Sequence, residues 1–353
     1  MSSLTASTKQ QPFSASRLTQ GFSMLWGLSS IALGIGIVGN DATAQGVGAI
    51  LGTIYVLVLI WWFSRSKPGA ADLPDSQLIV GFLPNYWAML AFIIVLTVIL
   101  TALTGGLLRN GWHMLSLSIL LSLAIIIIWR NRLNWKLIIA SVITASVLAG
   151  VEQILGEEQS SGLVIPVGAG LMLLAGALLL DHTKLTHVRL LEGDYLTAGK
   201  SFLWGCALAV PPALLNALSM RQAPPSEFDL LFDRWWKTFY ALQPGILEEI
   251  WARLLLTTLL YALLRPLSNQ HPRRAVVGAM VMAALIHGLA HYPTSLTSPM
   301  EAIYVTLMYG IPLALLYVKR DLEQAIAYHF FIDFVRFMAY VVQTQCLSNR
   351  SKL

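Results

Sequence analysis

The stretch LQPGILEEIWARLLLTTLLYALL, residues 242–264, is apolar enough for lipid yet carries Glu248, Glu249 and Arg253 in its middle. Charged side chains at the centre of a bilayer helix cost about 2.5 to 3.5 kcal/mol each on insertion scales. Something in the fold must offset that cost. On a helix, Glu249 and Arg253 stand four residues apart with the acid first, the favourable order for an ion pair. Arginine does not discharge in a membrane, so a neighbouring carboxylate is the natural means of tolerating it. Glu248 is rotated about 100° round the helix from Glu249 and points at a different face. Two readings stay open on these residues alone. Either both acids neutralise Arg253 and clamp helices, or Glu249 serves structure and leaves Glu248 for chemistry.

The rest of the chain agrees that the solvent is lipid. Of 353 residues, 56% are hydrophobic and only 12% charged, with a mean hydropathy of +0.67; soluble domains carry about 25% charged residues. The expected fold class is all-α, a polytopic transmembrane helix bundle. Apolar runs near the roughly 20 residues that cross a bilayer occur at about 22–38, 45–63, 86–103, 111–129, 135–151, 161–180, 201–219, 238–264, 274–291, 301–318 and 322–343. That makes about 11 spans. With the N-terminus in the cytoplasm, 15 of the 23 Lys and Arg fall in cytoplasmic loops, so the positive-inside rule favours that orientation. The positive charge is scattered between apolar runs and forms no basic patch, which excludes nucleic acid as a partner. Cys206 and Cys346 have no ligand or disulfide spacing.

Four regions follow from this pattern: a polar cytoplasmic tail at 1–20, an N-terminal transmembrane scaffold of about six spans at 21–199, a polar-residue-bearing helical core at 200–343, and a short polar tail at 344–353. The scaffold has small residues such as Gly34, Gly36, Gly168, Gly170 and Gly176, which permit close helix packing. Pro211 and Pro212 are expected to kink the seventh span. The segment EQILGEEQS, from Glu152, reads as a solvated loop, and 181–200, with His182 and His187, as an interfacial connector.

From residue 240 onward the spans fill with ionisable groups: Glu248, Glu249, Arg253, His287, His291, His329, Asp333 and Arg336. Intramembrane ionisable residues point to function. In LIHGLAHY, His287 and His291 share a helix face at i, i+4, a spacing that suits metal ligation or a common catalytic pocket. In AYHFFIDFVRF, His329 and Asp333 repeat the i, i+4 relation. Asp333 either fixes the tautomer of His329 or pairs with Arg336. Together these residues supply what water activation and oxyanion stabilisation need.

These motifs resemble those of the CPBP intramembrane proteases, named for CAAX prenyl proteases and bacteriocin-processing proteins. Glu248-Glu249-Ile250-Trp251-Ala252-Arg253 matches that family's EExxxR in full; His287 to His291 aligns with its FxxxH, with histidine where phenylalanine is usual; His329 and Asp333 match its third motif, a histidine followed four residues on by a polar residue. The resemblance covers roughly residues 200–343 and leaves the first six spans outside. It implies a CPBP-type catalytic helix core and a glutamate-dependent intramembrane endopeptidase, or a metalloprotease, acting on a membrane-associated protein or peptide. Carried over, Glu248 activates water with His291, Glu249 and Arg253 support the site, and His329 with Asp333 stabilises the oxyanion. No cofactor is required by this reading; a divalent metal such as zinc, held by Glu248, His287, His291 and His329, is the metal-dependent form of it.

Two other functions use the same residue types: a proton-coupled transporter, and a non-enzymatic scaffold or immunity protein that keeps the motif for helix packing. The bilayer itself and a protein or peptide substrate, lipid-modified in one version, are the expected partners. The bacterial plasma membrane is the expected location. One geometric tension accompanies the topology. His291 lies about 25 Å along its helix from the cytoplasmic face and His329 only about 10 Å along its own, so their convergence requires tilted or broken helices, re-entrant backbone lining a cavity, or a different count of spans.

Overall fold

The computed structural model describes residues 111–155, 163–220, 231–268, 272–291 and 303–350. The apolar runs at about 22–38, 45–63 and 86–103, with Gly34 and Gly36, lie outside the described residues. All described elements are helical. In chain order they are α1 (Gly111–Ile128), α2 (Trp135–Glu152), α3 (Val164–Thr183), the single turn α4 (Arg189–Glu192) and α5 (Tyr195–Met220). A 3-10 segment, Trp235–Ala241, leads into α6 (Leu242–Glu248), a π-helical segment (Glu249–Thr257) and α7 (Thr258–Leu264). There follow α8 (Pro272–His291), a second π segment (Thr306–Gly310), α9 (Ile311–Lys319) and α10 (Leu322–Arg350). Five stretches among the described residues are long and apolar enough to cross a membrane: Trp135–Glu152, Val164–Thr183, Tyr195–Leu218, Pro272–His291 and Leu322–Thr344.

Local chemistry sets the boundaries. Asn134 caps α2 by accepting a hydrogen bond from the Leu137 amide at 3.0 Å. α3 ends at Lys184 in the left-handed conformation, φ 51°, which turns the chain into the 181–200 connector. Asp194 accepts from the Thr197 amide at 3.2 Å and starts α5; these Thr197 hydrogen bonds hold its exposed carboxyl below the usual carboxylate range. Asp321 accepts from the Gln324 amide at 2.9 Å and starts α10. The connector is tied to that same helix start, with the Leu190 amide donating to Glu323 Oε1 at 2.8 Å and Ser201 donating to Asp321 Oδ2 at 2.6 Å. His182 stacks near Trp129 and His187 meets Glu192, so the connector histidines stay apart.

Pro211 and Pro212 lie within α5, whose helix runs on past both. The reading of the sequence is corrected at Glu152, which is expected in a solvated loop but is the last residue of α2 and is buried at 3% exposure. The polar stretch from residue 344 continues α10 as far as Arg350. Polar composition alone does not end a helix when no proline or glycine interrupts it.

α3 is the central helix. Two-thirds of its membrane window (67%) is buried, against 17% for α2 and 22% for the α5 window, whose Leu203 and Trp204 face outward. Close approach is made by glycine. A Cβ on Gly176 would lie 2.6 Å from Leu254 Cγ and 3.0 Å from the Leu254 carbonyl carbon, so α3 presses on the first π segment backbone to side chain. A Cβ on Gly205 would lie 2.5 Å from the Gln324 carbonyl oxygen, which brings α5 onto α10. A Cβ on Gly245 would come within 3.1 Å of the Phe330 backbone nitrogen; α6 therefore meets α10 one residue from His329 and one turn before Glu248. The packing of Gly168, Gly170 and Gly176 against neighbouring helices agrees with the small-residue reading.

Gly205→Val is therefore expected to destabilise the folded protein by about 1–3 kcal/mol through overpacking, seen as a clear fall in the thermal unfolding midpoint in detergent. Gly150→Ala, where no atom lies within 4 Å of the added Cβ, is the control and is expected to leave the midpoint unchanged or slightly raised.

Candidate active site

The helix that carries the charges begins conventionally. Pro244 sits in the first turn of α6, where its missing N–H forfeits no helical hydrogen bond. From Glu249 the backbone widens into the π form through Thr257, and the Thr257 hydroxyl donates to the Ala252 carbonyl, five residues back, at 2.8 Å. Such π segments concentrate at functional sites. Here the widened stretch starts at Glu249, and Glu248 is the last residue of the preceding α-helical turn.

Glu249 and Arg253 are both wholly buried, with Oε2 and Nε 3.2 Å apart. The other Glu249 oxygen, Oε1, accepts from His329 Nδ1 at 2.8 Å. One carboxylate thus serves a guanidinium on its own helix and an imidazole on α10. Asp333, four residues on from His329, stands 3.5 Å from the opposite ring nitrogen, Nε2. The sequence reading left Asp333 to orient His329; in the structure the shorter contact comes from Glu249 on another helix. Nothing in the local sequence of α10 encodes that contact, since it spans 80 residues.

Glu248 faces the other way, as its position round the helix requires. Its Oε2 lies 2.9 Å from His287 Nε2, 3.4 Å from His291 Nε2 and 3.8 Å from His329 Nε2. The His287 and His291 rings are 4.6 Å apart and those of His287 and His329 6.4 Å. His291 on α8 and His329 on α10 thus meet at one carboxylate.

These groups line a cavity of about 360 Å³ together with Asn216, Tyr240, Gln243, Tyr304, Tyr309, Asp333 and Arg336. The cavity is polar at its Glu248 end and large enough to admit water and part of a peptide. The sequence reading did not single out Asn216, Gln243 or the three tyrosines. Asn216 and Gln243 were visible as amides in apolar runs, a signal that they face protein or water; the tyrosines carried none, because tyrosine is equally at home in a core or at a membrane interface. Arg336 follows His329 by seven residues on the same face of α10, and it was already conspicuous as a span arginine.

Hydrogen-bond accounting assigns the rings. His291 Nδ1 lies 3.1 Å from the His287 carbonyl oxygen, which can only accept, so Nδ1 carries a proton and Nε2 turns its lone pair toward Glu248 when the ring is neutral. His287 is fully buried; its Nε2 faces the Glu248 carboxylate, and its Nδ1 has no hydrogen-bond partner among the described residues. Glu248, His287 and His291 bring possible metal-ligand atoms within 4.8 Å of one another. His329, which the sequence grouped with them as a ligand, falls outside that set.

Residues 231–335 match the family described as Type II CAAX prenyl endopeptidase Rce1-like. By this match residues 231–335, under a third of the chain, are similar to the CPBP/CAAX protease family. The matched segment contains Glu248, Glu249, Arg253, His287, His291, His329 and Asp333, so all three motifs fall inside it. No curated protein and no solved structure matches the chain.

Removing the buried partner of Glu249 leaves an uncompensated charge. Arg253→Met is expected to cost about 3–5 kcal/mol of stability, measured by thermal or denaturant unfolding in detergent. Lys237→Met, which removes a partner of the half-exposed Asp233 at the protein surface, is expected to cost no more than about 1 kcal/mol.

Proposed function

We propose that the protein is a glutamate-dependent intramembrane endopeptidase acting on membrane-associated proteins or peptides, with Glu248 as general base. The observation that carries this reading is the focus of three imidazole Nε2 atoms on one carboxylate oxygen inside a polar cavity between apolar helices. In the proposed mechanism a water in the cavity gives one proton in hydrogen bonding to Glu248 and the other to the Nε2 lone pair of His291. Its oxygen lone pair then aims at the scissile carbonyl. As the water oxygen bonds to the carbonyl carbon, Glu248 takes its proton and the carbonyl π pair moves to oxygen. His329, protonated on both nitrogens and held at Nδ1 by Glu249, donates through Nε2 to this oxyanion, with Asp333 beside the same nitrogen. Collapse of the tetrahedral intermediate breaks the C–N bond, and the Glu248 proton passes to the leaving amine. Arg253 does not line the cavity; its role is to keep Glu249 ionised and in place.

Zinc or another divalent cation on Glu248, His287 and His291 would supply a Lewis acid that lowers the pKa of bound water. The donor set fits such an ion poorly. A histidine that ligates through Nε2 carries its proton on Nδ1 and almost always gives it to an acceptor, whereas His287 Nδ1 is buried without one among the described residues. The mechanism above therefore uses no metal step.

The family description supports a substrate class of prenylated peptides that end in a CAAX sequence, cut at membrane depth. The division between scaffold and core near residue 200, the cytoplasmic N-terminus and a bacterial plasma membrane complete the proposal; the charge distribution supports the orientation.

The test reconstitutes the full chain in liposomes with an internally quenched peptide bearing a farnesylated cysteine in a C-terminal CAAX sequence, and with the same peptide unprenylated. Wild type is expected to cleave the prenylated probe faster. Glu248→Gln is expected to lower the rate at least about hundredfold, the lower range for general-base catalysis, and a strong chelator to leave it unchanged. Equal cleavage by a correctly folded Glu248→Gln variant would sink the glutamate mechanism; loss of activity to the chelator, restored by zinc, would replace it with the metal-dependent form.

A further inference from the structure

His287 stands where the resembling motif has phenylalanine, so a side chain with two polar atoms is buried at a position that otherwise needs none. It is wholly enclosed, lying beside Trp251 with ring centroids 6.1 Å apart and beside His291 at 4.6 Å. Its contact with Glu248, 2.9 Å, is shorter than that of His291 at 3.4 Å or His329 at 3.8 Å. Two arrangements of its proton are available. With the proton on Nδ1, a buried N–H would have no acceptor among the described residues, and two lone pairs, on Nε2 and Glu248 Oε2, would face each other at 2.9 Å. Orphaned buried N–H groups are rare and costly. With the proton on Nε2, the N–H···O⁻ bond to Glu248 is charge-assisted, and only an acceptor lone pair at Nδ1 goes unused. The second arrangement is the one the surroundings favour.

We infer that His287 is a positioning residue rather than a metal ligand: its Nε2–H holds the Glu248 carboxylate in the orientation from which it takes a proton from water. The inference rests on the proposed role of Glu248 as base. His287 is carried on α8 by an approach that fixes its depth. A Cβ on Gly310, in the second π segment, would lie 2.9 Å from Ala284 Cβ, and Ala284 is one turn before His287. The donor is thus set by packing on one side and faces an acid set by Gly245 on the other. His291, in contrast, sits 38% exposed with its Nε2 lone pair turned toward the cavity, which suits it to contact the water itself. The two histidines of one i, i+4 pair therefore do different work.

The test compares His287→Phe, His287→Gln and Glu248→Gln in the purified full chain. A glutamine amide nitrogen can occupy the place of Nε2 and donate to a carboxylate but is a poor metal ligand. On the farnesylated quenched peptide, His287→Phe is expected to lower kcat about ten- to hundredfold with KM little changed, the scale of losing a hydrogen bond to a charged group, and His287→Gln to recover most of it. Infrared difference spectra are expected to show the carboxylate band that Glu248→Gln removes shifting in His287→Phe and returning in His287→Gln. Metal content by mass spectrometry is expected to be the same in all four proteins. If wild type holds one equivalent of zinc that both His287 variants lose, or if the Glu248 band does not move in His287→Phe, the assignment is overturned. Since the infrared and metal readouts need no substrate, they decide the role of His287 even if Glu248→Gln cleaves normally and the protease mechanism falls.

Discussion

The shared carboxylate of Glu249 is the interaction on which the site depends. One oxygen meets the Arg253 guanidinium on its own helix and the other meets His329 on α10, and both acid and base are wholly shielded from solvent. In such surroundings neither charge is tolerable alone. Because Glu249 is fully committed, the adjacent Glu248 is the acid left to face the cavity. The step of about 100° between consecutive helical residues sets the two acids in different environments, at the point where the π form begins. Structural neutralisation and the proposed chemistry are thereby separated across a single peptide bond.

Helix proximity makes this arrangement possible, and it comes from residues with no side chain. Gly245 lets α6 lie against α10 beside His329, and Gly310 lets the second π segment lie against α8 one turn from His287. The histidines reach Glu248 because backbones meet at these points. Polar side chains line the cavity in between.

Much of this was legible in the sequence. The long apolar runs place α1, α2, α3 and α8 within a few residues and find α5 and α10, which each run about two turns further at one end, because a span is specified by length and hydropathy while its polar extension is not. The ion pair of Glu249 with Arg253 follows from i, i+4 spacing, and the three motifs gather in one cavity as their resemblance implies. What escaped is whatever depends on contacts between helices. The bond from His329 to Glu249, the closeness of His287 to Glu248, and the burial of Glu152 at a helix end each join or shield groups through tertiary packing. The π segments escaped as well, since an extra residue per turn leaves no distinct pattern in an apolar run.

Gly176 belongs to α3, more than fifty residues before the matched protease segment begins, yet the backbone there touches Leu254, the neighbour of Arg253. Asn216 of α5 likewise contributes to the cavity from outside that segment. The region defined by family likeness is consequently not a free-standing catalytic module. Its charged helix is shaped from behind by a helix whose sequence carries no catalytic signature, so the two parts of the chain can diverge in sequence but not independently in shape. A graft of residues 231–335 onto another set of membrane helices would carry every motif and still lack the surface that holds the acid in place.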